Sequence, residues 1–240
     1  MVKSPNLNVI IKALDKISNK IARDFGEIEN MQNNNFTAVK FANSCYSAVK
    51  EHLVRDLGAI NPQYNIRFLD GEEIINDKNS RFSYVIAPID GLLNLSRSIP
   101  SFTSVIALEE NKDNKKEIIC CAINNIVSGE IYAATKNGGA FLNNFRLRCS
   151  SHKPLHNILC SITNKNLLSH ELFQDKKMIL QAKNCSSLEI AHYASGKIDL
   201  VAFSKNDQEI LKITSIIVKE SGGFIEEKND MIIISNNKLL

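Results

Sequence analysis

The hydrophobic period changes several times along this chain, and these changes restrict its fold more than any other feature. Residues 6–27 carry apolar side chains at helical spacing, and a second helical pattern runs from about Phe41 to Leu57. From Ile66 the pattern becomes a series of short apolar strands separated by clusters of Asn, Asp, Lys and Gly. After about residue 150, strands and helical stretches alternate. This interleaving predicts a layered α/β architecture, with helices packed between or outside the sheets.

The composition and organisation of the chain fit one globular unit. Its 240 residues are 44% hydrophobic and 23% charged, and they contain no internal repeat, low-complexity segment or Pro-rich linker. We therefore predict a single domain over residues 1–240, with layered halves of about 1–150 and 151–240 that fold together. A net charge of +3 is too small to indicate nucleic-acid binding.

The sequence gives no indication of a membrane segment. No run approaches the roughly 18 consecutive apolar residues of a membrane-spanning helix. The apolar run near the N-terminus is interrupted by Lys12 and Asp15, which is unlike a signal peptide. We expect a cytoplasmic protein without a membrane partner.

The cysteines and histidines do not form a recognisable metal motif. No two cysteines have CxxC spacing, so we predict reduced and mostly buried thiols at all six positions: Cys45, Cys120, Cys121, Cys149, Cys160 and Cys185. His152 and His156 have a spacing that could bind a metal on a helix, but Pro154 lies between them. Loop histidines are therefore the favoured interpretation.

A strand, a sharp turn and a helix start follow one another in residues 84–95, which read YVIAPIDGLLNL. The turn through Pro88 and Gly91 places one carboxylate, Asp90, at the start of the predicted helix. Backbone N–H groups at a helix N-terminus can bind phosphate, so the arrangement indicates a phosphate or metal site. An alternative is structural, since Asp before Gly is also a common helix cap.

Four segments, in order, resemble one family. They are FLDGEE at 68–73, APIDGLLN at 87–94, GEIYAATKNGGAFLNNFRLRCS at 129–150, and SSLEIAHYASGKIDLVAF followed by IVKESGGFI. The first two resemble the GEE and DPxDGTTN motifs of the magnesium-dependent inositol monophosphatase family. The N-terminal SPNLNVIIKALDKISNKIARDFGEIENMQ is similar to the bacterial SuhB-type members. The resemblance covers nearly the whole chain.

The resemblance implies a five-layered αβαβα sandwich, usually a homodimer, and Mg²⁺-dependent hydrolysis of inositol monophosphate. It implies Glu72 and Asp90 as catalytic residues, and it implies a magnesium site of Glu72, Asp90 and the backbone carbonyl of Ile89. Gly91 and Leu92 would offer backbone N–H groups to the phosphate of a small phosphorylated ligand. Only SNNKLL follows the last predicted strand, so the terminal helix that is common in the family is expected to be missing.

Several side chains depart from the family pattern. The first Asp of DPxDG, which bridges both metals in the family, is Ala87 in this chain, and the Thr of DGTT is Leu92. The acidic residue of the second helix falls on Ala42 or Asn43. A two-metal site needs several anionic oxygens placed together, so we expect magnesium binding to be weak and activity to be much reduced or lost.

A further family Asp, which binds metal and touches substrate, falls on Ile210. Asp207 or Glu209 could replace it if the local alignment shifts. If these ligands are lost, Glu72 and Asp90 could remain only as a turn residue and a helix cap.

The sequence therefore leaves two function hypotheses open. The first is a weak or altered phosphomonoesterase, with one magnesium ion. The second is a non-catalytic SuhB-like factor that binds transcription or ribosomal RNA processing machinery through its surface. Arg146, Arg148 and Lys153 could mark a contact patch, although a solvated loop is the simpler interpretation.

Overall fold

The computed structural model describes residues 4–29, 35–113, 115–151, 157–175, 177–205, 208–228 and 231–236. The described chain begins with two long helices packed against each other, α1 (Pro5–Glu29) and α2 (Asn35–Ile60). The helical spacing of α1 buries one face, which includes Ile10 and Leu14. The second helix begins at Asn35 rather than near Phe41, because Ala38 extends its buried face.

Eight strands of the described chain form the first sheet, in the order β2-β1-β3-β4-β5-β6-β7-β8. Among the described strands of this sheet, β1 and β3 pair in parallel and the other neighbours pair antiparallel. Helix α3 (Leu92–Ser96) connects β3 to β4. The strands are β1 (Asn65–Phe68), β2 (Glu73–Ile74), β3 (Phe82–Asp90), β4 (Thr103–Lys112), β5 (Lys115–Asn125), β6 (Glu130–Thr135), β7 (Gly139–Leu142) and β8 (Phe145–Arg146).

The predicted strand IRFLDGEE is a hairpin rather than one strand. Strand β1 ends at Phe68, Gly71 adopts a left-handed φ of 96°, and β2 returns antiparallel to β1. The turn is marked in the sequence by Asp70-Gly71, a common hairpin signal, so the prediction of one continuous strand was wrong.

The second sheet contains five strands of the described chain, in the order β10-β9-β11-β13-β12. The strands are β9 (Ile158–Ile162), β10 (Met178–Gln181), β11 (Leu200–Ser204), β12 (Phe224–Lys228) and β13 (Met231–Ser235). Helices α4 (Ser186–Ala194) and α5 (Gln208–Glu220) belong to the same part of the chain. The predicted helix around LLSHELFQD consists of two short 3₁₀ helices, Lys165–Ser169 and Glu171–Gln174.

The described elements form five layers. Helices α1 and α2 cover one face of the first sheet, and α4 and α5 lie between the two sheets. Neighbouring residues of α4 show this position, because Ala191 packs toward the first sheet and Ile190 toward the second. Leu167 and Phe173 of the 3₁₀ helices cover the outer face of the second sheet. The layered α/β prediction is confirmed, although the described part of the outermost layer is 3₁₀ rather than α-helical.

None of the described helices is both long and apolar enough to cross a membrane. The six cysteines, all of which the structure describes, are free thiols, and all except Cys149 are buried. This agrees with the prediction from their spacing. His152, Pro154 and His156 lie outside the described residues.

Candidate functional site

The strand, turn and helix start predicted around Asp90 are present, with a very short helix. Strand β3 extends to Asp90, and a bulge between Ala87 and Asp90 interrupts its pairing with β4. Gly91 follows with φ of 85°, and a Cβ atom there would lie 2.7 Å from the carbonyl oxygen of Ser101. Glycine is therefore required at this turn. Helix α3 begins at Leu92 and has only 5 residues.

The carboxylate of Asp90 caps a helix, but this helix is α4 rather than the adjacent α3. Oδ2 of Asp90 accepts a 2.7 Å hydrogen bond from the backbone N–H of Ser187 and a 2.5 Å bond from its hydroxyl. The Ser187 hydroxyl also lies 2.5 Å from Oγ1 of Thr103, on β4. A negative charge at a helix N-terminus is stabilising. Asp90 thus joins β3 to the helix layer between the sheets.

Glu72 lies in the turn between β1 and β2 and forms an ion pair with a lysine of α2. Nζ of Lys50 is 2.7 Å from Oε2 of Glu72 and 2.7 Å from Oδ2 of Asp70. The hydroxyl of Tyr46 donates a 2.9 Å bond to the same Asp70 oxygen, and the ammonium lies 4.4 Å from the ring centroid of Phe68. Lys50 therefore neutralises the carboxylate that the family resemblance assigns to a metal.

Burial and the neighbouring charges shift the pKa values of Lys50 and Asp70 in opposite directions. Partial burial alone would lower the pKa of Lys50, but its hydrogen bonds with Asp70 and Glu72 outweigh this effect and raise the pKa above its ordinary value. Burial would raise the pKa of Asp70, whereas the bond from Lys50 and the backbone N–H of Glu72 lower it overall. Both shifts favour the charged forms of Lys50 and Asp70, so this pair is charged at neutral pH.

Ala87 and Ile210, the positions at which the sequence resemblance leads us to expect two metal-binding Asp residues, pack in one apolar cluster. Ala87 is 6% exposed, and it shares the cluster between the first sheet and α5 with Val105 and Ile213. Ile210, at the start of α5, packs against the same cluster. Hydrocarbon side chains thus occupy both positions. Ala42, one of the two positions for the α2 acid, is also buried in the core.

A cleft of about 460 Å³ opens at the end of β3. It brings together three of the predicted site residues, Asp90, Gly91 and Leu92. Its other lining residues are Thr163, Asn164, Asn184, Ser186, Glu189, Glu209 and Ile210. Glu72 is not among the described residues that line it, and Ile89 is buried in the core.

Glu209 and Asp207 are the two residues that the sequence offers as replacements for the Asp expected at Ile210. Glu209 lies at the cleft, but its exposed carboxylate forms an ion pair with Lys212 one turn along α5. Asp207 lies outside the described residues.

Glu189 of α4 is a cleft residue that the sequence reasoning did not select. It is 1% exposed, and its Oε1 accepts a 2.8 Å bond from the backbone N–H of Lys183. Burial raises its pKa to about 7, although the Lys183 bond and the nearby Ser161 hydroxyl lower it and the Asp90 charge raises it. The sequence signal that could have identified Glu189 is an acidic residue within the largely apolar helical pattern SSLEIAHYA.

The arrangement does not fit a pair of magnesium ions. Among the described residues, no three His, Cys, Asp or Glu side chains come together in a way that could hold a metal ion. Glu72 is paired with Lys50, Asp90 caps α4, and the two remaining family positions are apolar. Magnesium requires several oxygen ligands in near-octahedral geometry, which this set does not supply.

The suggested basic patch is only partly described. Arg148 donates a 3.3 Å bond to the carbonyl oxygen of Leu147, and the guanidinium group of Arg146 lies close to Gly139. Lys153 lies outside the described residues. A contact role for these residues stays a prediction.

Comparison with known proteins gives consistent matches over nearly the whole chain. The sequence model of the inositol monophosphatase family matches residues 3–227. An inositol-1-monophosphatase of Rhizobium meliloti is 26% identical over 235 residues, which cover 93% of this chain and 86% of the relative. The Nus factor SuhB of Xylella fastidiosa is 24% identical over 235 residues, covering 93% and 82%. The crystal structure of extragenic suppressor protein suhB from Bartonella henselae superimposes with a TM-score of 0.82, at 22% identity, over 99% of this chain and 95% of that one.

Proposed function

Because the chain belongs to the inositol monophosphatase family, we propose that it is a member in which Mg²⁺-dependent hydrolysis of inositol monophosphate is greatly reduced or lost. The observation that carries this proposal is the packing of Ala87 and Ile210 in one apolar cluster. In two-metal hydrolysis, one cation activates water and the other stabilises the leaving oxygen. Both roles need carboxylates at positions that are hydrocarbon in this chain.

The size of the expected increase in the activation barrier supports a large loss of hydrolytic activity rather than a modest one. Removing metal-based stabilisation raises the barrier by several kcal/mol, and about 1.4 kcal/mol corresponds to a tenfold change in rate. A reduction of roughly a thousandfold or more is therefore expected. Glu72 and Asp90 do not compensate, because Lys50 and the α4 N-terminus already occupy their carboxylates.

The second candidate function is a non-catalytic, cytoplasmic factor that binds the transcription machinery, as a homodimer. Several relatives carry the name Nus factor SuhB, including those of Xylella fastidiosa and Pasteurella multocida. A role of this kind does not need the missing carboxylates. It can be tested by sedimentation of the purified chain with its cognate RNA polymerase, where co-sedimentation supports the role and separate migration contradicts it.

The primary proposal is tested by assaying the purified chain with inositol 1-phosphate and Mg²⁺, beside the Rhizobium meliloti relative. We expect turnover at least about a thousandfold below that of the relative. A variant that carries Ala87→Asp, Leu92→Thr and Ile210→Asp, checked for folding by circular dichroism, asks whether the family side chains suffice to restore activity. Robust turnover by the unmodified chain would overturn the proposal.

A further inference from the structure

The face of α1 that points away from the core carries a stripe of basic side chains. Its members, at spacings of three or four residues, are Lys12, Lys16, Lys20 and Arg23. At 3.6 residues per turn these positions fall within about 80° of the helix circumference, and Lys12 and Lys20 lie about 12 Å apart along the axis. Leu14, on the opposite face, is buried in the core, so the packing of α1 fixes the direction of the stripe. Glu27 ends it one turn beyond Arg23.

Helix α2, which packs against α1, places two more nitrogen-bearing side chains beside this stripe. Nζ of Lys20 lies 2.9 Å from Nε2 of His52, and a guanidinium nitrogen of Arg55 lies 2.5 Å from Nδ1 of the same ring. Together these side chains form a basic seam, which consists of Lys12, Lys16, Lys20, Arg23, His52 and Arg55.

The contacts around His52 have one acceptor too few. Lysine and arginine side chains carry only hydrogen-bond donors, whereas an imidazole ring offers one acceptor nitrogen when it is neutral and none when it is protonated. His52 can therefore accept a hydrogen bond from Lys20 or from Arg55 but not from both. The other cation faces a ring nitrogen that is itself a donor. An anionic oxygen beside His52 would accept hydrogen bonds from both of these opposed donors.

The carboxylates within ion-pair distance of the basic seam are too few to neutralise it. The ion pairs of α1 and α2, in the part of the chain that the structure describes, include neither Lys12 nor Lys20. Asp56 is shared between two cations of the seam, at 3.3 Å from each, and Asp24 lies 3.9 Å from Arg23. The five Lys and Arg side chains of the seam therefore meet two carboxylates.

We propose that the basic seam binds the phosphate backbone of a nucleic-acid duplex without reading its sequence. Lys12 and Lys20, about 12 Å apart, cannot hold one phosphate group together, but they can contact separate phosphates along a strand. Single strands are normally held by aromatic stacking, and the seam contains no aromatic ring except the imidazole of His52, which favours a duplex. A membrane-surface helix presents large apolar side chains to lipid, and none of the exposed large hydrophobic residues in the described chain lies on α1.

This inference goes beyond the proposed function and does not depend on it. Helices α1 and α2 cover one face of the first sheet, whereas Ala87 and Ile210 pack on its other face. The net charge of +3 did not indicate such a surface, because charges farther away than about 8 Å are largely screened at physiological salt and only the local excess acts on a phosphate. Duplex binding is measured without Mg²⁺ or phosphate ester, so the two proposals can fail independently.

The test is fluorescence anisotropy of the full chain with a labelled duplex of mixed sequence, roughly 50 Å long, prepared once as RNA and once as DNA. We expect saturable binding of both forms at a salt concentration of about 50 mM, because both carry the same phosphate charge. With three or four phosphate contacts, a plot of log K against log salt concentration should have a slope of about −3. A labelled single strand and phosphatidylserine vesicles, at the same phosphate concentration, should bind more weakly than the duplex.

The variant Lys12→Gln/Lys20→Gln removes the two lysines of the seam that have no carboxylate partner. It should bind the duplex at least about tenfold more weakly, with a salt slope reduced to about −1. The matched control is Lys165→Gln/Lys177→Gln, which makes the same change in net charge at two exposed lysines on the side of the second sheet. This control should keep both the affinity and the slope of the unmodified chain.

Circular dichroism confirms that each variant is folded. The inference is overturned if neither duplex shows saturable, salt-dependent binding, or if folded Lys12→Gln/Lys20→Gln keeps full affinity. It is also overturned if the control variant loses as much affinity, or if the single strand or the vesicles bind more tightly than the duplex.

Discussion

Lys50 and Glu72 form an ion pair of 2.7 Å across the gap between α2 and the β1–β2 turn. The resemblance of FLDGEE to the family motif implies that this carboxylate binds magnesium. The ammonium group instead supplies a positive charge from within the chain, and it also holds Asp70 at 2.7 Å. The ammonium group of Lys50, on α2, therefore supplies the positive charge that a bound cation would otherwise supply at this turn.

Replacing Lys50 by methionine should lower the free energy of unfolding by about 1–2 kcal/mol. The change removes both ion pairs while keeping most of the aliphatic chain that packs near Phe68, and it leaves Asp70 and Glu72 as neighbouring like charges. Urea unfolding measures the loss, which should shrink at high salt. Lys16→Met, which removes an exposed lysine from its single pair with Asp56 and leaves Asp56 paired with Arg55, should cost much less. An equal loss for both variants would contradict the interpretation that Lys50 stabilises the fold through its two ion pairs.

Asp90 should contribute to stability without magnesium. We expect Asp90→Ala to destabilise the chain by about 1–2 kcal/mol, because the N–H group of Ser187 loses its acceptor at the α4 N-terminus. Asp90→Asn keeps an acceptor and should cost less. Thermal unfolding with and without Mg²⁺, at a concentration on the order of 10 mM, tests whether the stabilising effect of Asp90 depends on the metal. If Mg²⁺ stabilises the unmodified chain but not the variants, Asp90 is a metal ligand instead.

Glu189→Gln should become increasingly stabilising as pH rises. The pKa of Glu189 is raised from 4.5 to about 7 by burial, so the folded state retains a proton that the unfolded state has lost. The contribution of this proton is fully present below pH 4.5 and is lost as pH rises through about 7. The stability difference between variant and unmodified chain should therefore grow by up to roughly 3 kcal/mol from acidic to mildly alkaline pH.

The comparison must be made against the unmodified chain at each pH. Burial and the charge of Lys183 lower the pKa of His192 from 6.5 to about 4. Because this pKa is depressed, the contribution of His192 to the free energy of unfolding increases with pH, opposite to that of Glu189. The contribution of His192 is present above pH 6.5 and is lost as pH falls toward 4. Urea unfolding at several pH values measures the difference, with Glu226→Gln as the exposed control. A flat difference for Glu189→Gln would show that Glu189 titrates normally.

Gly91→Ala should be destabilising by about 1–3 kcal/mol. The residue has a φ of 85°, and a Cβ atom would lie 2.7 Å from the Ser101 carbonyl oxygen. Gly58→Ala is a suitable control, because Gly58 lies in α2 with no atom within 4 Å of its added Cβ. That change should be neutral or slightly stabilising. Equal effects in denaturant unfolding would remove the argument that the turn requires glycine.

The local features of the fold could be predicted because they depend on neighbouring residues. The periodicity of residues 6–27 gave α1, and the turn residues around Gly91 gave the break between β3 and α3. The hairpin at Gly71 was missed because residues 66–73 were assigned to one strand although Asp70-Gly71 is a turn signal. Element boundaries and tight turns are therefore where hydrophobic pattern alone was insufficient.

The side-chain partners at the site could not be predicted, because they come from distant parts of the sequence. Asp90 was expected to cap the helix that follows it, but Ser187 of α4 supplies the donors. Nothing near Lys50 in the sequence indicated that it would face Glu72. The burial of Glu189 likewise depends on how α4 packs between the two sheets. The apolar character of positions 87 and 210, in contrast, could be read directly from the sequence.

Isothermal titration calorimetry of Mg²⁺ into the unmodified chain tests the central claim most directly. The claim is that hydrocarbon packing around Ala87 and Ile210, together with the internal Lys50 pair, leaves too few free carboxylates for two cations. We predict no saturable uptake of two Mg²⁺ ions per chain, with or without inorganic phosphate. Tight binding of two ions per chain would contradict the account.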